Sequence, residues 1–307
     1  MKKRKRSIQL PWEHPKLENE EPKSFELISA IEKSASYKLA VEDRDFLESN
    51  EARGVRLELD YLKAELEIEK HGIEQTIVVF GSARIMEQQT AMQELKAIQE
   101  QLDKNPQDRE LLREFYIAER MVGKSIYYED ARRLGRLVGE SGKNPDDCKV
   151  VVMTGGGPGI MEAANRGSYD VGAKTIGLNI HLPNEQFPNP YITPELCFQF
   201  HYFAVRKMHF LNRAKALIVY PGGFGTFDEL FETLTLMQTR KTQDMPVVLV
   251  GKGYWQKAID FEFLQQEGVI APQDLDIFKF ADNADEAWNY ILSWHKKRGN
   301  PLFKDEK

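Results

Sequence analysis

Two glycine clusters, each wedged between an apolar run and the start of a helix, narrow what this chain can fold into. The first follows Lys149 to Met153 (KVVVM) and reads Thr154-Gly155-Gly156-Gly157-Pro158-Gly159, with a helical pattern from Ile160 to Tyr169. The second follows Ala216 to Tyr220 (ALIVY) and reads Pro221-Gly222-Gly223-Phe224-Gly225, with a helical pattern from Thr226 to Thr239. Apolar runs without polar alternation belong to strands buried on both faces, which is the condition of a parallel sheet covered by helices. Glycine lets the backbone turn sharply between strand and helix.

The same alternation runs through the chain. Thr76 to Phe80 (TIVVF) reads as a strand and is followed at once by Gly81-Ser82-Ala83-Arg84. Further strands are expected at Lys174 to Ile180, Pro246 to Val250 and Phe278 to Phe280. Helices are expected at Tyr202 to Arg213, Tyr254 to Gln265 and Asp285 to Lys297, and a proline-rich loop from His181 to Phe198. The pattern predicts the α/β class, with a Rossmann-like, doubly wound parallel sheet.

This domain is expected to span residues 73–307. Residues 24–72 read as a helical appendage of two or three amphipathic helices, with Phe25, Ile28, Ile31, Leu57, Tyr61, Leu62 and Leu66 at helical spacing. Residues 1–23 are polar and punctuated by proline, and read as a flexible tail. A helical insertion after the first strand, about residues 86–128, is interrupted at Asn105-Pro106, and Glu129 to Glu140 reads as a separate helix packing on the sheet.

Composition excludes several classes. A hydrophobic fraction of 41% against 29% charged supports a sizeable core rather than disorder. The net charge of −6 argues against a surface that coats nucleic acid. The basic run Lys2 to Arg6 is better read as a solvated terminus than as a nucleic-acid tail, and no apolar core follows it as in a signal peptide. No stretch approaches the roughly 18 apolar residues of a membrane span. Cys148 and Cys197 form neither a disulfide framework nor a CxxC metal site, which fits a cytoplasmic protein.

Glycine turns at the carboxyl ends of parallel strands are where such sheets bind ligands, and the helix that follows favours an anion. A phosphate is the natural guest, although tight packing without ligand accounts for any single turn. Sharper readings fail. Gly155-x-Gly157-x-Gly159 is not GxGxxG, and the next strand ends Leu178-Asn179-Ile180 without the carboxylate of a dinucleotide site. Gly123-Lys124-Ser125 imitates a Walker lysine but follows a helix, not a strand. No HExxH and no GxSxG is present.

Pro221-Gly222-Gly223-Phe224-Gly225-Thr226-Phe227-Asp228-Glu229 matches PGGxGTxxE, and Arg206-Lys207 stands on the preceding helix. With the turn Thr154 to Gly159 and Ile160-Met161-Glu162-Ala163-Ala164-Asn165, the stretch from Thr76 to Trp294 resembles the LOG ("Lonely guy") family of nucleoside 5′-monophosphate phosphoribohydrolases, long mislabelled lysine decarboxylases. The related molybdenum-cofactor carriers share part of the pattern. The appendage and the insertion set this chain apart from short family members, so cytokinin specificity is not carried over. No recognisable pyridoxal-phosphate lysine pattern supports a decarboxylase.

The resemblance implies hydrolysis of a nucleotide such as AMP to free base and ribose 5-phosphate, with no cofactor and no metal, in a homodimer or higher homo-oligomer. It implies Glu229 and Arg206 as catalytic residues. The expected phosphate site comprises the N–H groups of Gly223, Gly225 and Thr226 beside Gly222, with Gly156, Gly157, Ser82 and Lys207 around it. Each role has a plainer rival. Thr226-x-x-Glu229 is also a capping box, which spacing alone favours and the family pattern outweighs. Placed in the first turn of its helix, Glu229 is expected to be ionised. Arg206 and Lys207 also suit surface salt bridges. Asn165 and Glu162 serve ligand contact or packing equally well, and His201, Tyr202 and Phe203 either flank a base or join the core. A non-catalytic nucleotide or cofactor carrier of the same fold is the alternative function.

Overall fold

The computed structural model describes residues 23–142, 147, 149–182 and 187–303; the predicted N-terminal tail, apart from Lys23, lies outside them. The chain divides into two compact units, Met1–Leu59 and Asp60–Lys307. Within the smaller unit, α1 is Ser24–Glu32 and α2 is Arg44–Glu48, whose first turn is capped by Asp43 accepting the N–H of Phe46. The expected apolar residues Phe25 and Ile31 of α1 are exposed. The boundary falls within α3, Arg53–Lys70.

The larger unit holds one seven-stranded sheet. Its elements run β1 Gln75–Phe80, α4 Gln88–Lys104, α5 Arg109–Glu140, β2 Val150–Thr154, α6 Ile160–Asp170, β3 Thr175–Ile180, β4 Cys197–Phe200 and α7 Phe203–Asn212. They continue with β5 Ala214–Val219, α8 Phe224–Gln238, β6 Val247–Val250, α9 Lys252–Ala258, α10 Phe261–Gln266, β7 Phe278–Ala281 and α11 Ala284–Lys297. The strand order is β4-β3-β2-β1-β5-β6-β7, and every pair is parallel. The expected Rossmann-like, doubly wound architecture is present, with a switch of direction at β1.

Helices cover both faces, as the apolar strands require. On one face Ile77, Val79, Val152, Ile218 and Val248 meet Ala131, Leu134 and Val138 of α5, Ala163 and Ala164 of α6 and Ile291 of α11. On the other, alternate residues such as Phe80 point to the α7 side, where the Phe80 and Phe210 rings meet edge-on at 4.8 Å.

Three sequence expectations need correction. The insertion does not end at Tyr128: α5 runs unbroken through the expected boundary to Glu140, because Tyr128, Ala131, Leu134 and Val138 continue one buried stripe. The loop predicted through Phe198 already contains β4, a four-residue edge strand too short for its alternation to register against the prolines before it. The helix expected from Tyr254 to Gln265 is two, because Asp260 caps a new turn by accepting the N–H of Phe263.

Candidate active site

The carboxyl ends of β1, β2 and β5 are adjacent, so the three predicted turns meet. Ser82 stitches them together: its N–H donates to Pro221 O at 3.0 Å, and its carbonyl accepts the N–H of Ile160 at 3.1 Å. The approach is close enough that a Cβ on Gly159 would overlap the Ser82 carbonyl, and Gly159 sits at φ 73°. Both observations require glycine there. The Ser82 hydroxyl accepts the N–H of Arg84 at 3.1 Å, so it shapes its own turn.

The two glycine turns differ in what they leave open. Gly156 and Gly157 are buried. The Gly156 N–H donates to Thr154 Oγ1, while the Gly156 and Gly157 carbonyls accept from the backbone and side chain of Asn189. The Gly156 N–H and both carbonyls are thus engaged, and a Cβ on Gly156 would collide with the Asn179 side chain. In the second turn, a Cβ on Gly222 would collide with the Thr226 side chain, and Tyr254 Oη donates to the Gly222 carbonyl from behind. Gly223 and Gly225 face open space. Among the described residues their N–H groups have no hydrogen-bond partner, and they lie at the start of α8. Two free donors at a helix N-terminus suit an anion. The Thr226 N–H, expected among the donors, instead bonds Gly223 O at 2.9 Å.

The capping-box reading of Glu229 is overturned. Helix α8 begins at Phe224, its N-cap is Gly223, and no side chain caps it. Glu229 therefore lies in the second turn, facing inward and 6% exposed. Its expected ionisation is corrected too. Burial pushes its carboxyl up to about 7, against the opposing pull of Lys207 and Arg206. Desolvation outweighs the helix field because the dipole acts mainly within the first turn.

Arg206 and Lys207 are not surface residues. The Arg206 guanidinium lies 3.6 Å from Glu229 Oε1 and over the rings of Phe203 and Phe210, at 5.0 and 5.6 Å. Its Nε is buried without a hydrogen-bond partner among the described residues. Lys207 Nζ reaches Glu232 at 2.6 Å, Asp228 at 2.8 Å and Glu229 at 3.8 Å. Arg206 thus keeps unused donor capacity beside Glu229, whereas Lys207 is tethered to three carboxylates.

The remaining candidates separate. Asn165 is fully buried and packs: Thr154 Oγ1 and Asn189 Nδ2 donate to its Oδ1, and its Nδ2 donates to Thr175. Glu162 accepts the Tyr128 hydroxyl at 2.7 Å. His201 and Phe203 are exposed and Tyr202 is half-buried, so this cluster is not core. Sequence reasoning missed Asn189, Tyr128, Tyr254, Asp60 and Glu65. Only Asn189, in an Asn-Pro pair, offered a local signal, and it marked a turn.

No described helix is long and apolar enough to cross a membrane, and no described group of three or more His, Cys, Asp or Glu side chains is placed to hold a metal ion.

Residues 161–291 match the model of a family described as possible lysine decarboxylase. The chain is 30% identical over 168 residues to cytokinin riboside 5′-monophosphate phosphoribohydrolase LOG3 of Arabidopsis thaliana, covering 53% of this chain and 73% of that protein. It is 31% identical over 172 residues to the LOG1 enzyme of the same plant, covering 54% and 75%. Among solved structures, the molybdenum cofactor binding protein of Rippkaea orientalis aligns at 22% identity with a TM-score of 0.39, covering 55% of this chain and 87% of that one.

Proposed function

The chain belongs to the LOG family of phosphoribohydrolases, and we propose that it hydrolyses the N-glycosidic bond of a nucleoside 5′-monophosphate. The observation that carries this reading is Arg206 of α7 lying 3.6 Å from Glu229 of α8, the helix whose free N-terminal N–H groups suit a phosphate.

Cleavage builds positive charge on the ribose and negative charge on the departing base. In this reading the phosphate rests on the Gly223 and Gly225 N–H groups, and the ribose lies over Glu229. Water attacks C1′ as the C1′–N bond breaks and its electron pair leaves with the base. As a carboxylate, Glu229 stabilises the charged ring and takes the proton that water loses. A group near pKa 7 suits that exchange better than an ordinary carboxylate. The departing base takes up a proton from solvent, Glu229 returns its proton to solvent, and ribose 5-phosphate remains. The unpartnered Arg206 Nε and its Nη groups are available to the phosphate or to negative charge on the leaving base. Lys207 holds the carboxylates of α8 in register.

The test is free base released from a panel of nucleoside monophosphates that includes AMP, with Arg206→Ala alongside. Wild type is expected to release base from at least one, and Arg206→Ala to lower kcat/KM by roughly a hundredfold, the scale of one lost transition-state donor. Binding without release by wild type would favour a carrier instead. Unchanged kcat/KM in a folded Arg206→Ala protein would remove Arg206 from the site.

The reading includes a homodimer. Phe203 and Met208 of α7 are half exposed, and Phe224, at the free turn, is 97% exposed. Exposed apolar side chains on the two helices that carry the site suit a second copy. Light scattering should give at least twice the chain mass; a monomer at working concentration would remove this element.

A further inference from the structure

Helix α7 carries Arg206 and Lys207, so whatever fixes α7 sets the cationic half of the candidate site. The helix does not cap itself: Tyr202, at its N-cap, makes no side-chain capping bond. Only two residues separate β4 from α7, which leaves little room for a local cap. The carboxylate at the entrance comes instead from α3, more than a hundred residues away. Asp60 Oδ2 accepts the backbone N–H of His201 at 2.8 Å and that of Tyr202 at 3.0 Å.

The far end of α7 meets the same helix. Arg213, its C-cap residue, donates two hydrogen bonds to the Glu65 carboxylate, at 2.6 and 2.7 Å. Between these ends, His209 lies one turn beyond Arg206 with its side chain buried. Its ring stacks on Tyr61 at 4.8 Å and leans on Phe200 at 5.3 Å. Ala64 and Ile68 of α3 are also buried, so Tyr61, Ala64, Glu65 and Ile68 share one inward stripe at helical spacing. An anion at the start of α7 and a cation at its end both follow the helix field. None of the α3 residues lies in the stretch 161–291 that the family model matches.

We propose that Asp60 and Glu65 are positioning residues for the candidate site, pinning the two ends of α7 so that Arg206 stays beside Glu229. The expected loss of rate rests on the hydrolase reading; the expected change in α7 does not.

The test compares Asp60→Ala, Asp60→Asn, Glu65→Gln and, as a control on the exposed side of α3, Lys63→Ala. Two readouts are taken: hydrogen exchange of the α7 amides against those of β1 and β5, and kcat and KM with AMP or the best substrate of the panel. Asp60→Ala and Glu65→Gln should speed α7 exchange about tenfold, with the sheet amides unchanged. They should lower kcat roughly tenfold to a hundredfold with little change in KM, as small misplacement of a catalytic group does. Asp60→Asn keeps an oxygen acceptor and should restore most of both, and Lys63→Ala should match wild type. Unchanged α7 exchange in Asp60→Ala and Glu65→Gln would overturn the proposal. So would faster exchange spread equally over the sheet, which would make the contact general scaffolding. Should wild type release no base, the exchange result still decides the positioning role, and the failure belongs to the hydrolase reading. If Asp60→Ala does not fold, Glu65→Gln alone carries the comparison.

Discussion

Glu229→Gln is expected to abolish most base release while making the protein more stable at neutral and alkaline pH. Removing a carboxylate that exchanges a proton in the transition state costs about 10²- to 10⁴-fold in rate. The stability gain follows from linkage. Burial holds the Glu229 carboxyl near 7 in the fold, above its ordinary 4.5, with Lys207 and Arg206 opposing but not winning. Between those values the folded chain binds more protons than the unfolded one. The stabilisation is fully present below pH 4.5 and is lost as pH rises through about 7. Glutamine cannot ionise, so above pH 7 the variant escapes this loss, worth about 1–3 kcal/mol. In wild type, kcat/KM should climb through pH 7 as the carboxylate forms, and the residual rate of the variant should lack that limb. Chemical denaturation at pH 5 and pH 8 beside a pH–rate profile measures both. A folded variant with turnover within about threefold of wild type would return Glu229 to a structural role.

The second large effect concerns a site where no side chain fits. Helices α5 and α6 touch backbone to backbone: a Cβ on Gly167 would overlap the Arg132 carbonyl, and one on Gly135 the Ala164 carbonyl. Ser168 Oγ donates to Gly135 O at 3.2 Å across the same contact. Gly167→Ala must push the helices apart, and overpacking of this kind costs about 1–3 kcal/mol or more, less the roughly 1 kcal/mol by which alanine favours a helix. The expected net is about 1–2 kcal/mol, or roughly 2–6 °C in Tm for a domain of this size. Activity should fall as well, because α6 starts at the turn bonded to Ser82. Gly123→Ala is the internal comparison. Its Cβ would meet nothing within 4 Å, so only the helix preference remains and the change should be neutral or stabilising. Equal melting temperatures for the two variants would refute the close-contact argument.

Much of the molecule could be read before folding. Five of the seven strands stood out as apolar runs, because a strand buried on both faces needs no partner to declare itself, and the edge strand β7 was read from Phe278 and Phe280 around Lys279. Strand β4 did not: its four residues alternate in burial at the sheet edge, and so short a pattern is indistinguishable from loop. The PGGxGTxxE run and the Arg206-Lys207 pair were visible as residue types. What they do was less so. Thr226 and Glu229 have the spacing of a capping box, yet the Gly222–Gly225 turn starts α8 two residues earlier and sends Thr226 against Gly222. Asn165 and Glu162 share a helix face with a ligand-like motif, but Thr154, Asn189 and Tyr128 occupy their polar atoms.

The sequence by itself determined the layered sheet, the three turns at one end of it and the chemical types gathered there. Strand periodicity, glycine and helix starts act over a few residues, and so can be read locally. Only the tertiary structure decided that Glu229 is buried enough to titrate near 7, that Gly223 and Gly225 rather than Gly156 keep free donors, and that α3 grips both ends of α7. Desolvation, and bonds such as those between Asp60 and His201, depend on groups brought together from distant parts of the chain, and no short window of sequence contains both partners.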